Sequence, residues 1–357
     1  SKYQQAATVK DIMKQIDRLI RFAISDKVFP VAVLLVAKDD SIVFFEAYGY
    51  ANIFSKRKMT IYTIFDLASL TKPLATTLAV MRLIQQRKLG FEQTLDSILP
   101  CFKKTDKGQI KIKSLLCHNS GLPGYREYYY KLSKLPFDAR RNALKRLLVK
   151  EPMLYPTGEK ALYSDLGFMI LGLVVETVAG ERLDHYVNDE IYRPLGIDSD
   201  KGLFFADLNS KPIIGRFAAT EICPWRNTLL EGVAHDENAY MMGGIAGHAG
   251  LFGSAGSLHI LLSSLLSDFY GSPSINLFEK DLLHTFFKHQ KGTDKALGFE
   301  TPSLADSSCG DYFSKRSLGH LGFTGTSFWM DTERNIIVIL LTNRVHPSRK
   351  KDKIKSK

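Results

Sequence analysis

The chain has 357 residues, 45% hydrophobic and 24% charged, an ordinary globular balance that suits one large domain or two intimately packed ones. No continuous apolar stretch has membrane-spanning length. The formal charge of +11 comes from short scattered clusters such as Ser55-Lys56-Arg57-Lys58 and Lys103-Lys104, and from the basic tail Arg349–Lys357. With no nucleic-acid motif around them, these clusters suit an anionic small substrate better than a nucleic acid.

Residues 8–25 place apolar groups at helical spacing, with Ile12, Ile16, Leu19 and Ile20 on one side. Val31–Ala37 and Ile42–Tyr48 are β-rich runs joined by Lys38-Asp39-Asp40-Ser41, a hairpin signature. An apolar helical run follows Pro73, a residue suited to a first helical turn because no intrahelical donor is needed there. Ala139–Leu148, Leu166–Ala179, Leu183–Tyr192 and Ser257–Leu266 predict helices, the second ending at Gly180, which suits a left-handed cap. Strands return at Ile213–Phe217, Thr326–Asp331 and Ile336–Thr342, with Arg334-Asn335 as the turn between the last two.

Strands at both ends and helices between them predict an α/β fold. Its antiparallel β-sheet joins the two ends of the chain and is flanked by helices, with an inserted, mostly α-helical region. The expected division is a sheet domain formed by 1–84 and 206–357, a helical region at 85–205, and the active site between them. Cys101, Cys117, Cys223 and Cys309 are widely spaced and form no zinc-ligand pattern. They read as buried free thiols of a reducing compartment, so a cytoplasmic location is expected. The polar start Ser1–Gln5 is no secretion signal, and a periplasmic location stays open if a leader was removed before residue 1.

The chemistry begins at Ser69-Leu70-Thr71-Lys72. Three positions apart on a first helical turn, hydroxyl and amine share one face, and a transiently neutral lysine can take the hydroxyl proton. Tyr163-Ser164-Asp165 presents its first and third side chains on one side of an extended turn. A phenol near an ammonium has its pKa lowered and can then work as acid or base; Tyr163 as a helix-entry aromatic with Asp165 as cap is the plainer alternative. In Gly319-His320-Leu321-Gly322-Phe323-Thr324-Gly325, the glycines at 322 and 325 permit close backbone approach to a ligand, and main-chain N–H groups there can stabilise an oxyanion.

Gly243–Gly253 is the other glycine-dense stretch. It lacks both the Lys-Ser/Thr of a phosphate loop and the order of a dinucleotide site. His235-Asp236-Glu237-Asn238 reads as a polar pocket wall. No G-x-S-x-G elbow occurs, which argues against an α/β-hydrolase.

These motifs together resemble the class C β-lactamase-like serine hydrolases, a group of class C β-lactamases, D-alanyl-D-alanine carboxypeptidases and family VIII esterases. Ser69-x-x-Lys72, Tyr163-x-Asp165 and His320-x-Gly322 match in order, with supporting text in Phe65–Lys72, Leu115–Pro123, Gly247–Phe252 and Gly319–Asp331. The resemblance implies Ser69 as acylated nucleophile, Lys72 as the group that helps remove its proton, and Tyr163 as proton shuttle. It places the oxyanion hole at the backbone N–H groups of Ser69 and Phe323, and has Asp165, His320 and Gly322 bind or orient a small-molecule or peptide substrate. It implies no cofactor and no metal.

Two departures stand out. Asp165 replaces the asparagine usual in β-lactamases, and His320-Leu321-Gly322 replaces Lys-Thr-Gly. Both favour an esterase or peptidase-like hydrolase over an efficient β-lactamase, although His320 can still charge at mildly acid pH. They also leave open a catalytically silent, penicillin-binding-like or regulatory relative.

Overall fold

The computed structural model describes residues 9–197, 202–208, 216–272, 275–303 and 307–350. Its strands, in chain order, are β1 (Val31–Lys38), β2 (Ser41–Asn52), β3 (Arg57–Lys58), β4 (Phe65–Asp66), β5 (Leu203–Phe205), β6 (Ile222–Cys223), β7 (Thr228–Leu229), β8 (Leu251–Gly253), β9 (Ser317–Leu321), β10 (Thr326–Asp331) and β11 (Ile336–Thr342). Six of them form one sheet in the order β3-β2-β1-β11-β10-β9. The two ends of the chain meet where β1 runs antiparallel to β11, from Ala32 opposite Thr342 to Lys38 opposite Ile336. Both predicted hairpins are present. Asp39 and Asp40 turn the first with φ of 49° and 63°, the left-handed pair that matches the twist of the flanking strands.

Alternation sorts the sheet's side chains. Val31, Val33, Leu35 and Ala37, with Ile337, Ile339 and Leu341, face the main core. Ala32, Leu34, Val36, Val338 and Leu340 face the helix α1 (Val9–Ser25). Here the expected buried face needs correcting. Ile12 and Leu19 are 47% and 65% exposed, and the stripe on the sheet is Met13, Ile16, Ile20, Ala23 and Ile24. Apolar residues lie on more than one side of α1, and only the facing sheet selects which side is buried.

The main core continues from the sheet into the helices 78–85, 165–179 and 255–270. Residues 166–175 are buried all round, so the helix Asp165–Ala179 is central, and Gly180 caps it at φ 77°. The predicted helix at 257–266 extends over Ala255–Tyr270, because Ser254 caps its start by accepting from the Ser257 N–H. Leu183–Tyr192 changes winding within its length, from α over Leu183–Val187 to a π turn over Asn188–Tyr192. Most of the strand expected at Ile213–Phe217 lies outside the described residues; Phe217 itself bridges to Ile64.

The glycine-dense stretch has a packing role. A Cβ on Gly247 would sit 2.1 Å from the Phe168 carbonyl oxygen and 2.9 Å from Gly172 Cα, so loop and central helix touch backbone to backbone. Thr76 locks this crossing from the other side by donating its hydroxyl to the Gly247 carbonyl at 2.6 Å. Gly247→Ala is therefore expected to cost about 1–3 kcal/mol in urea unfolding, the range for forced overpacking of a tight core. Wild-type stability in that variant would show that the helix can move aside.

Candidate active site

Ser69 sits on a tight 3-10 turn, Ala68–Leu70, directly after β4. Three residues per turn nearly eclipse positions i and i+3, so Lys72 comes to lie over Ser69. Its Nζ is 3.0 Å from Ser69 Oγ and 3.0 Å from the His248 carbonyl oxygen. The turn is strained, since Ala68 adopts φ +46° without being glycine. Asp66 holds it there. Its carboxylate accepts from the Ala68 N–H at 2.8 Å and from the His235 N–H at 2.6 Å, while Thr71 donates its hydroxyl to the Ala68 carbonyl at 2.6 Å.

Tyr163 and Asp165 approach from the helical side. The N-cap of the central helix is Ser164, whose Oγ accepts from the Gly167 N–H, so Asp165 is not the cap. Ser164 is extended, and its neighbours on either side both reach Lys72. The Asp165 carboxylate is 2.7 Å from Nζ, and the ammonium lies 4.8 Å from the centre of the Tyr163 ring. Lys72 and Ser69 both act on the phenol in the direction that lowers its pKa.

Lys72 is fully buried. Burial alone would lower its pKa, but the charge of Asp165 and its hydrogen bond outweigh it, and the amine is held well above its ordinary value. Burial pushes the Tyr163 phenol up, and the Lys72 charge pulls against that rise. At rest the site holds an ammonium–carboxylate pair and a neutral phenol.

Sequence reasoning gave His118 no role, yet it grips the Tyr163 segment at three points. Its carbonyl accepts from the Leu162 N–H at 2.8 Å, its Nδ1 accepts from the Ser164 N–H at 2.9 Å, and its ring stacks on Tyr163 at 4.7 Å. Burial, then the Lys72 charge, drive its pKa well down, so the ring is neutral with its proton on Nε2. Its position in His118-Asn119-Ser120-Gly121 carries no local signal for this, because both partners are more than forty residues away.

The third motif is clamped to the segment that leads into the Ser69 turn. Thr324 donates to the Asp66 carbonyl at 2.7 Å, and Thr326 to the Leu67 carbonyl at 3.2 Å. A Cβ on Gly322 would lie 2.1 Å from Thr326 Oγ1 and 2.7 Å from the Leu67 oxygen. The close approach at Gly322 is thus to the protein's own backbone.

His320 departs from the expectation of charge at mildly acid pH. Burial, then Lys72, push it down to about 3, so it is neutral there. Its Nδ1 lies 2.8 Å from the Leu321 carbonyl, which assigns the proton to that nitrogen. Its buried Nε2 is left as an acceptor with no partner among the described residues. Leu321 and Phe323 are exposed.

The polar wall at 235–238 is built from paired polar side chains. His235 meets Glu221 at 3.0 Å, Asp236 meets the buried His248 at 2.9 Å, and Glu237 meets Arg349, which also binds Glu221. Phe323 rests between the His235 ring and the Arg344 guanidinium. Among the described residues no group of three or more His, Cys, Asp or Glu side chains converges as metal ligands would.

A family model described as Beta-lactamase matches residues 7–356. An N-acetylmuramyl-L-alanine amidase of Bacillus subtilis (strain 168) is 35% identical over 94% of this chain and 81% of its own length. A protein of Escherichia coli (strain K12) with a provisional D-alanyl-D-alanine carboxypeptidase name is 31% identical over 94% of this chain and 82% of its own. Among solved structures, EstCE1, a hydrolase with promiscuous acyltransferase activity, superposes with a TM-score of 0.75 at 23% identity, covering 97% of this chain and 99% of its own.

One consequence of the Lys72–Asp165 contact is directly measurable. Asp165→Asn removes the charge that most raises the Lys72 pKa while burial continues to lower it, so the ammonium should titrate at lower pH in the variant. Side-chain NMR of Lys72 across a pH series compares the two proteins. An unchanged titration would mean that Asp165 does not set the charge of this lysine.

Proposed function

Because the chain belongs to the Beta-lactamase family of serine hydrolases that act on ester or amide carbonyls, we propose that Ser69 is its nucleophile and that it works through an acyl-enzyme. The observation that carries this reading is the convergence of Ser69, Lys72, Tyr163 and Asp165, drawn from segments about ninety residues apart, on one buried ammonium. Lys72 is charged at rest and cannot accept a proton directly. It passes one to Asp165, 2.7 Å away, as it receives that of Ser69. Ser69 Oγ bonds to the substrate carbonyl carbon, and Tyr163 protonates the leaving group as the carbonyl re-forms. The proton held by Asp165 and Lys72 restores the phenol, so the proton lost by Ser69 ends on the leaving group. Water then attacks the acyl carbon, handing a proton to the phenol as the phenol hands its own to the Lys72–Asp165 pair, and that pair returns a proton to Ser69 Oγ as the acid leaves.

The oxyanion hole is assigned to the backbone N–H groups of Ser69 and Phe323. Support comes from the threonine clamps that hold residues 322–326 against the segment leading to Ser69. The cleft is the seam between the sheet part, 1–84 with 206–357, and the helical part, 85–205. The first supplies Ser69, Lys72 and His320, and the second supplies Tyr163 and Asp165.

For substrate, an amide in a peptidoglycan-derived fragment fits best, given the 35% identity to the amidase over almost the whole chain. His320-Leu321-Gly322 supports a preference for esters and amides over β-lactams. A neutral imidazole and an exposed leucine provide neither the cation nor the hydroxyl that would hold a β-lactam carboxylate.

The test runs p-nitrophenyl butyrate, nitrocefin and an N-acetylmuramyl-L-alanyl peptide side by side. Ser69→Ala should lower turnover of the first by roughly three orders of magnitude or more, as expected on losing a covalent nucleophile. Intact mass should show a fluorophosphonate adduct on Ser69 of the wild type. Unchanged turnover in the variant, or no adduct on a folded wild type, would overturn the assignment.

A further inference from the structure

Away from the cleft, a cavity of about 500 Å³ opens between the end of the helix 255–270, the helix Lys280–Phe287 with the residues that follow it, and the start of β9. That volume is within the range of small-molecule sites. Its floor is aromatic, formed by Phe269 and Phe287. The described residues of its wall include Lys288, Lys315, Arg316, His284 and His289, and no acidic side chain. Neither lysine nor Arg316 pairs with a described carboxylate, whereas Lys72, Arg126, Lys295 and Arg349 each do. Three exposed cations with no carboxylate among the described wall residues give the concavity a positive field that attracts an anion.

A second observation points the same way. Thr301 lines the cavity and is only 5% exposed, yet its hydroxyl has no hydrogen-bond partner among the described residues. Buried hydroxyls are ordinarily satisfied, so an unpaired one on a cavity wall marks where a ligand oxygen belongs. His284 is fixed with its ring stacked on Phe269 at 4.2 Å and its Nε2 3.1 Å from the Phe269 carbonyl.

We propose that this cavity binds a small anion carrying at least two negative charges, a phosphate ester or a polycarboxylate, with Lys288, Lys315 and Arg316 as its charge partners and Thr301 as a hydroxyl donor. The site is separate from the catalytic cleft. Lys315 and Arg316 immediately precede β9, and His320 lies three residues beyond Ser317, about 10 Å along an extended strand.

Isothermal titration of the full chain with sodium pyrophosphate and, separately, with citrate at constant ionic strength tests the site. One saturable event is expected with at least one probe, and which probe binds identifies phosphate or carboxylate as the source. Affinity should fall roughly tenfold or more in Lys315→Glu/Arg316→Glu and, independently, in Lys288→Glu, and hold in the control Lys103→Glu/Lys104→Glu. Far-UV circular dichroism and ester turnover matching the wild type certify the variants' fold. No saturable binding of either probe, or binding that survives both cavity variants, would overturn the proposal.

Discussion

A lysine ammonium with no contact to solvent is costly unless charge and hydrogen bonds surround it, and in this protein the arrangement around Lys72 draws the two parts of the chain together. The carboxylate comes from the first residue of the central helix, the hydroxyl from the turn after β4, and a carbonyl from the glycine-dense loop at His248. Each element approaches closely only because another constraint permits it. Gly247 and Gly172 let loop and helix meet at backbone distance, and Ser164 starts the helix so that Asp165 points at the amine.

The turn at Ala68–Leu70 shows how such an arrangement tolerates strain. A left-handed alanine costs about 1–3 kcal/mol and persists only where its surroundings over-determine it. Asp66 does so by accepting two hydrogen bonds from backbone N–H groups, and Thr324 and Thr326 tie the same segment to the turn between β9 and β10. The third motif is therefore fixed relative to Ser69 by side chains outside all three motifs. Their substitution would displace donors rather than remove a reacting group.

The two departures at the second and third motifs take different physical forms. Asp165 uses its charge internally, on Lys72, so a carboxylate there sets the charge of the amine beside Ser69. His320 is buried as a neutral ring beside the same ammonium, which removes a cation from the substrate side.

The three motifs, the two hairpins and the sheet joined through both chain ends are all readable from sequence, because each depends on local spacing: i and i+3 on a tight turn, alternation along β1 and β11, a two-residue turn at Asp39-Asp40. What depends on a partner distant in the chain is not readable in that way. Which stripe of α1 is buried, that His118 grips both flanks of Tyr163, that Asp66 pins the nucleophile turn, and that His320 stays neutral were decided by tertiary packing. Periodicity and turn chemistry are properties of neighbouring residues. Burial, charge compensation and ring stacking exist only once segments more than forty residues apart have been brought together.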